Sequence, residues 1–166
     1  DAELEINAQK RDLFSTEPFV LPGNAKTALV KVVEKSSKLL QFYSTSSYVD
    51  EALMMLGKSF YYQGNFQKSK RKFEELIATE IDDDEIITEA NLWIAKNAFE
   101  LREFSQALEL IKEVRIKAVE EDYENIVKDS YVQEIKHRIR EKEFPQAITL
   151  ANEFADVYDD DVVRAQ

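Results

Sequence analysis

The chain has 166 residues, 44% of them hydrophobic and 11% aromatic, enough to bury a core and too apolar for a disordered segment. A formal charge of −11 and a pI near 4.7 argue against a general nucleic-acid or anionic-membrane binder, which presents a basic surface. Three glycines and three prolines are too few for a turn-rich β fold, and the absence of cysteine excludes disulfides, thiol catalysis and thiolate metal sites.

In chain order, Ala2 to Phe14 is expected to form a helix, either a partner of the next one or a cap. Ser15 to Gly23, with Pro18 and Pro22, is the one true linker. Asn24 to Phe42 predicts one long helix with Leu29, Val32, Val33, Leu39 and Leu40 on its apolar face. No apolar run approaches the ~20 residues that a bilayer-spanning helix requires.

From residue 49 onward the chain repeats itself. LGKSFYYQGNFQKSKRKFEEL (56–76) aligns with IAKNAFELREFSQALELIKEV (94–114) at an offset of 38, and with EIKHRIREKEFPQAITLANEF (134–154) at an offset of 78. Recurring positions are Gly57/Ala95/Ile135, Phe66/Phe104/Phe144, Ser69/Ala107/Ala147 and Leu76/Val114/Phe154. Each unit holds two amphipathic stretches joined by a short turn: Gln63-Gly64-Asn65, Leu101-Arg102-Glu103 and Glu141-Lys142-Glu143. Pro145 falls at the start of the last second helix, where its missing N–H costs nothing.

The glycines acquire reasons within this repeat. Gly57, or its small substitute Ala95, lets the two helices of a pair approach closely, and Gly64 supplies the tight turn. Ile135 is larger, so the third pair is expected to be slightly splayed. The acidic joints at 81–85, 120–122 and 158–161 read as solvated loops and N-caps, because carboxylates suit the positive end of a helix. They lack the glycine and alternating ligands of a Ca²⁺ loop.

The expected organisation is a single domain. Residues 1–48 form an N-terminal capping helix and a partial repeat, 49–83, 84–122 and 123–160 form three repeats, and 161–166 begin a further one. Because the chain opens on Asp1 and its last residues resemble the start of another unit, it is read as a processed piece of a longer array.

The pattern resembles the tetratricopeptide repeat, a helix pair with small residues at fixed places. Leu53, Leu56, Gly57, Phe60, Gly64, Phe66, Ser69, Phe73 and Leu76 stand at that family's signature positions. The closing proline is absent, and offsets of 38 and 40 exceed the family's usual length of about 34. The resemblance implies an all-α fold, a right-handed solenoid of about seven or eight helices in antiparallel pairs. FYSTSSYVDEALMMLGKSFYYQGNFQKSKRKFEELI is further similar to BamD-type outer-membrane assembly lipoproteins of bacteria and related periplasmic scaffolds. That similarity implies a periplasmic location and a non-enzymatic role in envelope assembly.

In the family, the first helix of each pair lines a concave face that binds peptide segments. Carried onto this sequence, those positions are Met54, Lys58, Tyr61 and Tyr62, then Leu92, Lys96, Phe99 and Glu100, then Val132, Lys136, Ile139 and Arg140. The lysines at 58, 96 and 136 recur in register and would meet carboxylates of an acidic, partly hydrophobic extended peptide. Against this, lysine is a common solvated helix residue that pairs with nearby glutamates. The row also departs from the asparagine–lysine clamp of eukaryotic chaperone-binding arrays.

No HExxH, G-x-S-x-G or glycine-rich phosphate loop is present, so neither catalysis nor a cofactor is expected. His137, the sole histidine, is expected to pack toward a neighbouring helix, and Trp93 to fill the core. The alternative role is an oligomerisation module, self-associating through the apolar end formed by Leu150, Phe154 and Val157.

Overall fold

The computed structural model describes residues 13–17, 20–79 and 81–157. Among these there are seven helices and no strand: α1 (Gly23–Phe42), α2 (Val49–Tyr62), α3 (Phe66–Ile77), α4 (Asp84–Glu100), α5 (Phe104–Glu120), α6 (Glu124–Arg140) and α7 (Phe144–Val157). The helix expected over 2–14, apart from its last two residues, and the further unit expected at 161–166 lie outside the described residues. Residues 13 and 14 themselves form a turn.

The turns between paired helices fall where the sequence suggests, and they share one backbone device. Gly64 takes φ +75°, and its counterparts Arg102 and Lys142 take φ 63° and 61° although both carry side chains. A left-handed residue at the end of a helix lets the following amides bond back to the last turn. Asn65, Glu103 and Glu143 accordingly donate to the carbonyls of Phe60, Ala98 and Arg138 at 2.8–2.9 Å. At the joint between units, Asp83 caps α4 by accepting from the Ile86 amide at 3.0 Å.

Each helix packs on its neighbours in sequence, from α1 on α2 to α6 on α7. The first helices of successive pairs also touch, α2 with α4 and α4 with α6, whereas the second helices α3, α5 and α7 do not meet one another. Two apolar clusters form the core. One joins Leu53, Phe73 and Leu76 to Trp93 and Ile94, and the other runs from Leu92 through Ile111 and Tyr131 to Phe154.

Volume is exchanged across each pair. A Cβ added at Gly57 would lie 2.5–2.7 Å from the ring of Phe73, so only glycine admits that ring. The same two positions hold Ala95 with Ile111 in the second pair and Ile135 with Ala151 in the third. As the first-helix residue grows, its counterpart shrinks. Ile135 is only 2% exposed because Ala151 yields part of the space, yet α6 and α7 approach each other less extensively than the helices of the first two pairs do, in the direction of the expected splay.

The third pair departs from the first two in polarity. At the position of Leu56 and Ile94 it places Glu134, 2% exposed, bonded to Arg115 at 2.8 Å and to Arg138 at 3.1 Å. Arg115 also lies over the Tyr131 ring at 4.0 Å and bonds Ser130 through its Nε at 3.1 Å. A buried carboxylate survives only with such partners.

Candidate functional site: the first-helix face

The candidate residues stand on α2, α4 and α6, one helical turn apart along each, and the shared register brings them into parallel rows. Most are more enclosed than an open groove would leave them. Leu92, Lys96, Phe99 and Val132 are buried, Met54, Lys58, Tyr61, Tyr62, Lys136 and Ile139 are half-buried, and Arg140 is exposed.

An aromatic knot ties α2 to α4. Trp93 stacks on Phe73 with ring centroids 5.8 Å apart and receives the edges of Tyr61 at 5.1 Å and Tyr62 at 6.0 Å. Burial, reinforced by the charges of Glu100 and Asp129, pushes the Tyr61 phenol well above its ordinary value, so it stays protonated. Trp93 Nε1 donates to Glu89 Oε1 at 3.2 Å, which satisfies the one polar atom of the indole.

The lysine row is used internally. Lys58 on α2 bonds Glu89 on α4 at 2.9 Å, and Lys96 on α4 bonds Asp129 on α6 at 2.8 Å. Glu89 and Asp129 occupy equivalent positions of their repeats, 40 residues apart, so the two bridges are one interaction repeated along the stack. Lys96 Nζ also lies 3.5 Å from the centroid of the Trp93 ring, a close cation–π contact. Burial opposes ionisation of Asp129, but the Lys96 ammonium, the Gln133 amide and the charge of Lys136 together hold its carboxyl below the ordinary value. A third bridge, Arg140 to Glu100 at 3.1 Å, joins α6 to α4 at the other end of the face.

Sequence reasoning placed these lysines in register but could not see their partners. The carboxylates lie 31 and 33 residues downstream, not at the helical spacings of three or four. Repetition of an acidic residue at 89 and 129 was the available signal.

The position after each lysine is also consistent: Ser59, Asn97 and His137 are all buried polar groups. Asn97 donates to Ser69 Oγ at 2.9 Å, and Ser69 donates to the Gly57 carbonyl at 2.8 Å, stitching α4, α3 and α2 together. His137 lies between the rings of Phe99 and Phe104, at 4.8 and 4.7 Å. Burial lowers its pKa from the ordinary value.

No family model matches this chain, and neither does any curated protein or solved structure.

Two further surfaces bear on function. A groove of about 770 Å³ lies between α1 and α2, lined by Lys31, Lys35, Leu39, Tyr48, Glu51 and Met55 among others, and none of these was a candidate from sequence. At the far end, the apolar face expected from Leu150, Phe154 and Val157 is smaller than the sequence suggests. Phe154 is only 7% exposed and packs on Tyr131, while Val157 and Ile148 remain outside. Among the described residues no group of acidic or histidine side chains is placed to hold a metal ion, and no helix is long and apolar enough to cross a membrane.

Proposed function

We propose that this chain is a non-catalytic scaffold, a stretch of tetratricopeptide-like solenoid that holds an extended peptide against its first-helix face. The observation that carries the reading is the asymmetry of packing. First helices touch their successors and second helices do not. A stack that is tighter along one side bends toward that side, so α2, α4 and α6 would line the inside of a curve. The repeated Lys58–Glu89 and Lys96–Asp129 bridges support the same reading, since equal contacts at equal intervals are what a translational repeat produces.

With those lysines bound to their own carboxylates, an acidic ligand has little free charge to meet. Tyr61, Tyr62, Ile139 and the aliphatic stem of Arg140 instead offer a surface for an extended segment with aromatic or aliphatic side chains. The resemblance to envelope lipoproteins supports a role on the periplasmic side of a bacterial assembly.

The test is selection from a random peptide library against the folded chain, with bound peptides mapped by amide chemical shifts. Shifts concentrated at Tyr61, Tyr62, Ile139 and Arg140 are expected. Binders that perturb only α3, α5 and α7 would refute the assignment of the face.

A further inference from the structure

The two ends of the stack are open in complementary ways. Among the described helices α1 packs only on α2, and α7 only on α6. Phe144 and Ile148 of α7 repeat the places of Phe104 and Leu108 on α5, which pack into the core, Phe104 lying 4.7 Å from the His137 ring of α6. On α7 the corresponding flank has no described helix over it, and Phe144 and Ile148 are 54% and 62% exposed. At the other end, Met55 of α2 repeats the place of Trp93, a buried ring that receives the edges of Tyr61 and Tyr62. Met55 instead lines the groove beside α1 and is 41% exposed. Single exposed apolar side chains are ordinary, but these three stand where the complete units are closed.

Charge separates the same two ends. Residues 23–77, from α1 to α3, hold nine lysines and arginines against five carboxylates, whereas residues 81–157, from α4 to α7, hold ten against nineteen. At the extremes, α1 carries Lys26, Lys31, Lys35 and Lys38 with Glu34 alone, and α7 carries Glu153 and Asp156 with no cation. Lys31 and Lys35 line the groove. They are exposed, as are Glu153 and Asp156, and none of the four makes an ion pair among the described residues. On α7, Phe144, Ile148, Asn152 and Asp156 follow one another at intervals of four, so apolar and acidic groups share one side of the helix.

We infer that copies of this chain dock end to end, the exposed side of α7 on one copy lying in the α1–α2 groove of the next. Phe144 and Ile148 then cover Val32, Leu39 and Met55, while Glu153 and Asp156 face Lys31 and Lys35. A second copy is the occupant because both halves of the contact, apolar exposure and opposite charge, are carried by this one molecule. The contact joins unlike surfaces, so it does not close on itself and adds copies in a row. One helix in one groove buries less than a standard interface, which makes the association weak and reversible. Oppositely charged ends steer the copies together, an attraction that salt screens. The contact needs none of Tyr61, Tyr62, Ile139 and Arg140, so it holds or fails independently of the peptide-scaffold reading.

Sedimentation velocity at rising concentration tests this. The average mass should climb from that of one chain, 19.3 kDa, past that of two without a plateau, and fall back when salt is raised. One variant carries Lys31→Glu and Lys35→Glu, a second Glu153→Lys and Asp156→Lys. Each should associate about tenfold more weakly than wild type. All four side chains are exposed, so both variants should keep the fold, which circular dichroism checks. Mixed in equal amounts, the two should associate as wild type does, because every α7 then finds a groove of opposite charge. A benzophenone amino acid at Met55 should crosslink to α7 of a second copy. A chain that stays monomeric at every concentration, a mixture that fails to associate, or a dimer that neither variant weakens overturns the inference. So does a Met55 crosslink to residues 1–12 of the same chain, which would place that segment in the groove. Library peptides that shifted Tyr61 and Tyr62 would leave the scaffold reading intact in each case.

Discussion

Lys96 is the best single point at which to test whether the charged row holds the stack. Lys96→Met keeps an unbranched apolar stem of similar reach while deleting the ammonium. The wild-type side chain is 8% exposed and sits 2.8 Å from Asp129 Oδ2. A charge-assisted hydrogen bond of this kind contributes about 1.5–3 kcal/mol, cut toward the lower end because Asp129 stays about one-third exposed. The cation–π contact with Trp93 at 3.5 Å adds about 1–2 kcal/mol in a desolvated setting. Together they give a loss of about 3 kcal/mol, or about 6–12 °C in Tm for a chain of this size. Thermal melts followed by circular dichroism measure it, and a cycle with Asp129→Asn isolates the coupling, expected at about 1–2 kcal/mol. The carboxyl of Asp129 is held below its ordinary value, so its contribution is present above that value and disappears as pH falls through the lowered one. The advantage of wild type over Lys96→Met should thus be full at neutral pH and vanish in acid. The Lys38–Glu34 pair on α1, exposed on both sides, serves as a control with no measurable coupling. A Lys96→Met chain as stable as wild type, or one whose loss does not depend on Asp129, would refute the ladder.

Other substitutions probe the remaining parts of the design. Gly57→Ala should destabilise by about 1–2 kcal/mol by urea titration, since overpacking against Phe73 outweighs the gain in helix propensity; combining it with Phe73→Ile, which copies the second pair, should cost less than the sum of the single changes. Lys142→Gly should stabilise by about 1 kcal/mol in the same assay, because φ 61° strains any residue with a Cβ. Burial holds His137 below its ordinary value against the raising charges of Glu141, Glu143 and Glu134, with Arg138 lowering it further, so the unfolded chain takes up the proton first. Wild-type Tm should therefore decline as pH falls from about 6.5, and His137→Phe should flatten that decline. Glu134→Leu leaves Arg115 without a carboxylate, while Arg138 keeps Glu143, and should cost about 3 kcal/mol by denaturant melt, with Arg115→Met recovering part of the loss.

The helices and turns were legible because each is written locally. The period of Phe66, Phe73 and Leu76, and the shared place of Gly64, Arg102 and Lys142, need only a short window of sequence. What sequence could not show was how residues more than thirty positions apart meet. The lysines were visible and Glu89 and Asp129 were visible, but their pairing depends on how far one first helix advances past the next. Ile135 was legible only in part for a related reason. Read alone it is too large, and only its register with Ala151 shows that the volume has crossed to the other helix. Glu134 was hidden because a glutamate on an amphipathic helix is ordinarily solvated, and its two arginines come from α5 and from the next turn of α6. Phe14 was hidden because it closes the stretch expected to be a terminal helix, and nothing local says where its side chain will land.

These long-range features also explain how near-identical units keep their order. If all three pairs were apolar at the positions of Leu56, Ile94 and Glu134, a slip of the stack by one unit would cost little, because each interface could substitute for the next. Glu134 removes that freedom. Moved by one unit it would face an apolar neighbour in place of Arg115, and an unpaired buried carboxylate is far more costly than a lost methyl contact. Gly57 acts from the other end, since no other first helix admits the ring of Phe73. The bridges to Glu89 and Asp129 then work as a common spacer between units already fixed in sequence. Glu51 occupies the same repeat position on α2 and lines the groove beside α1.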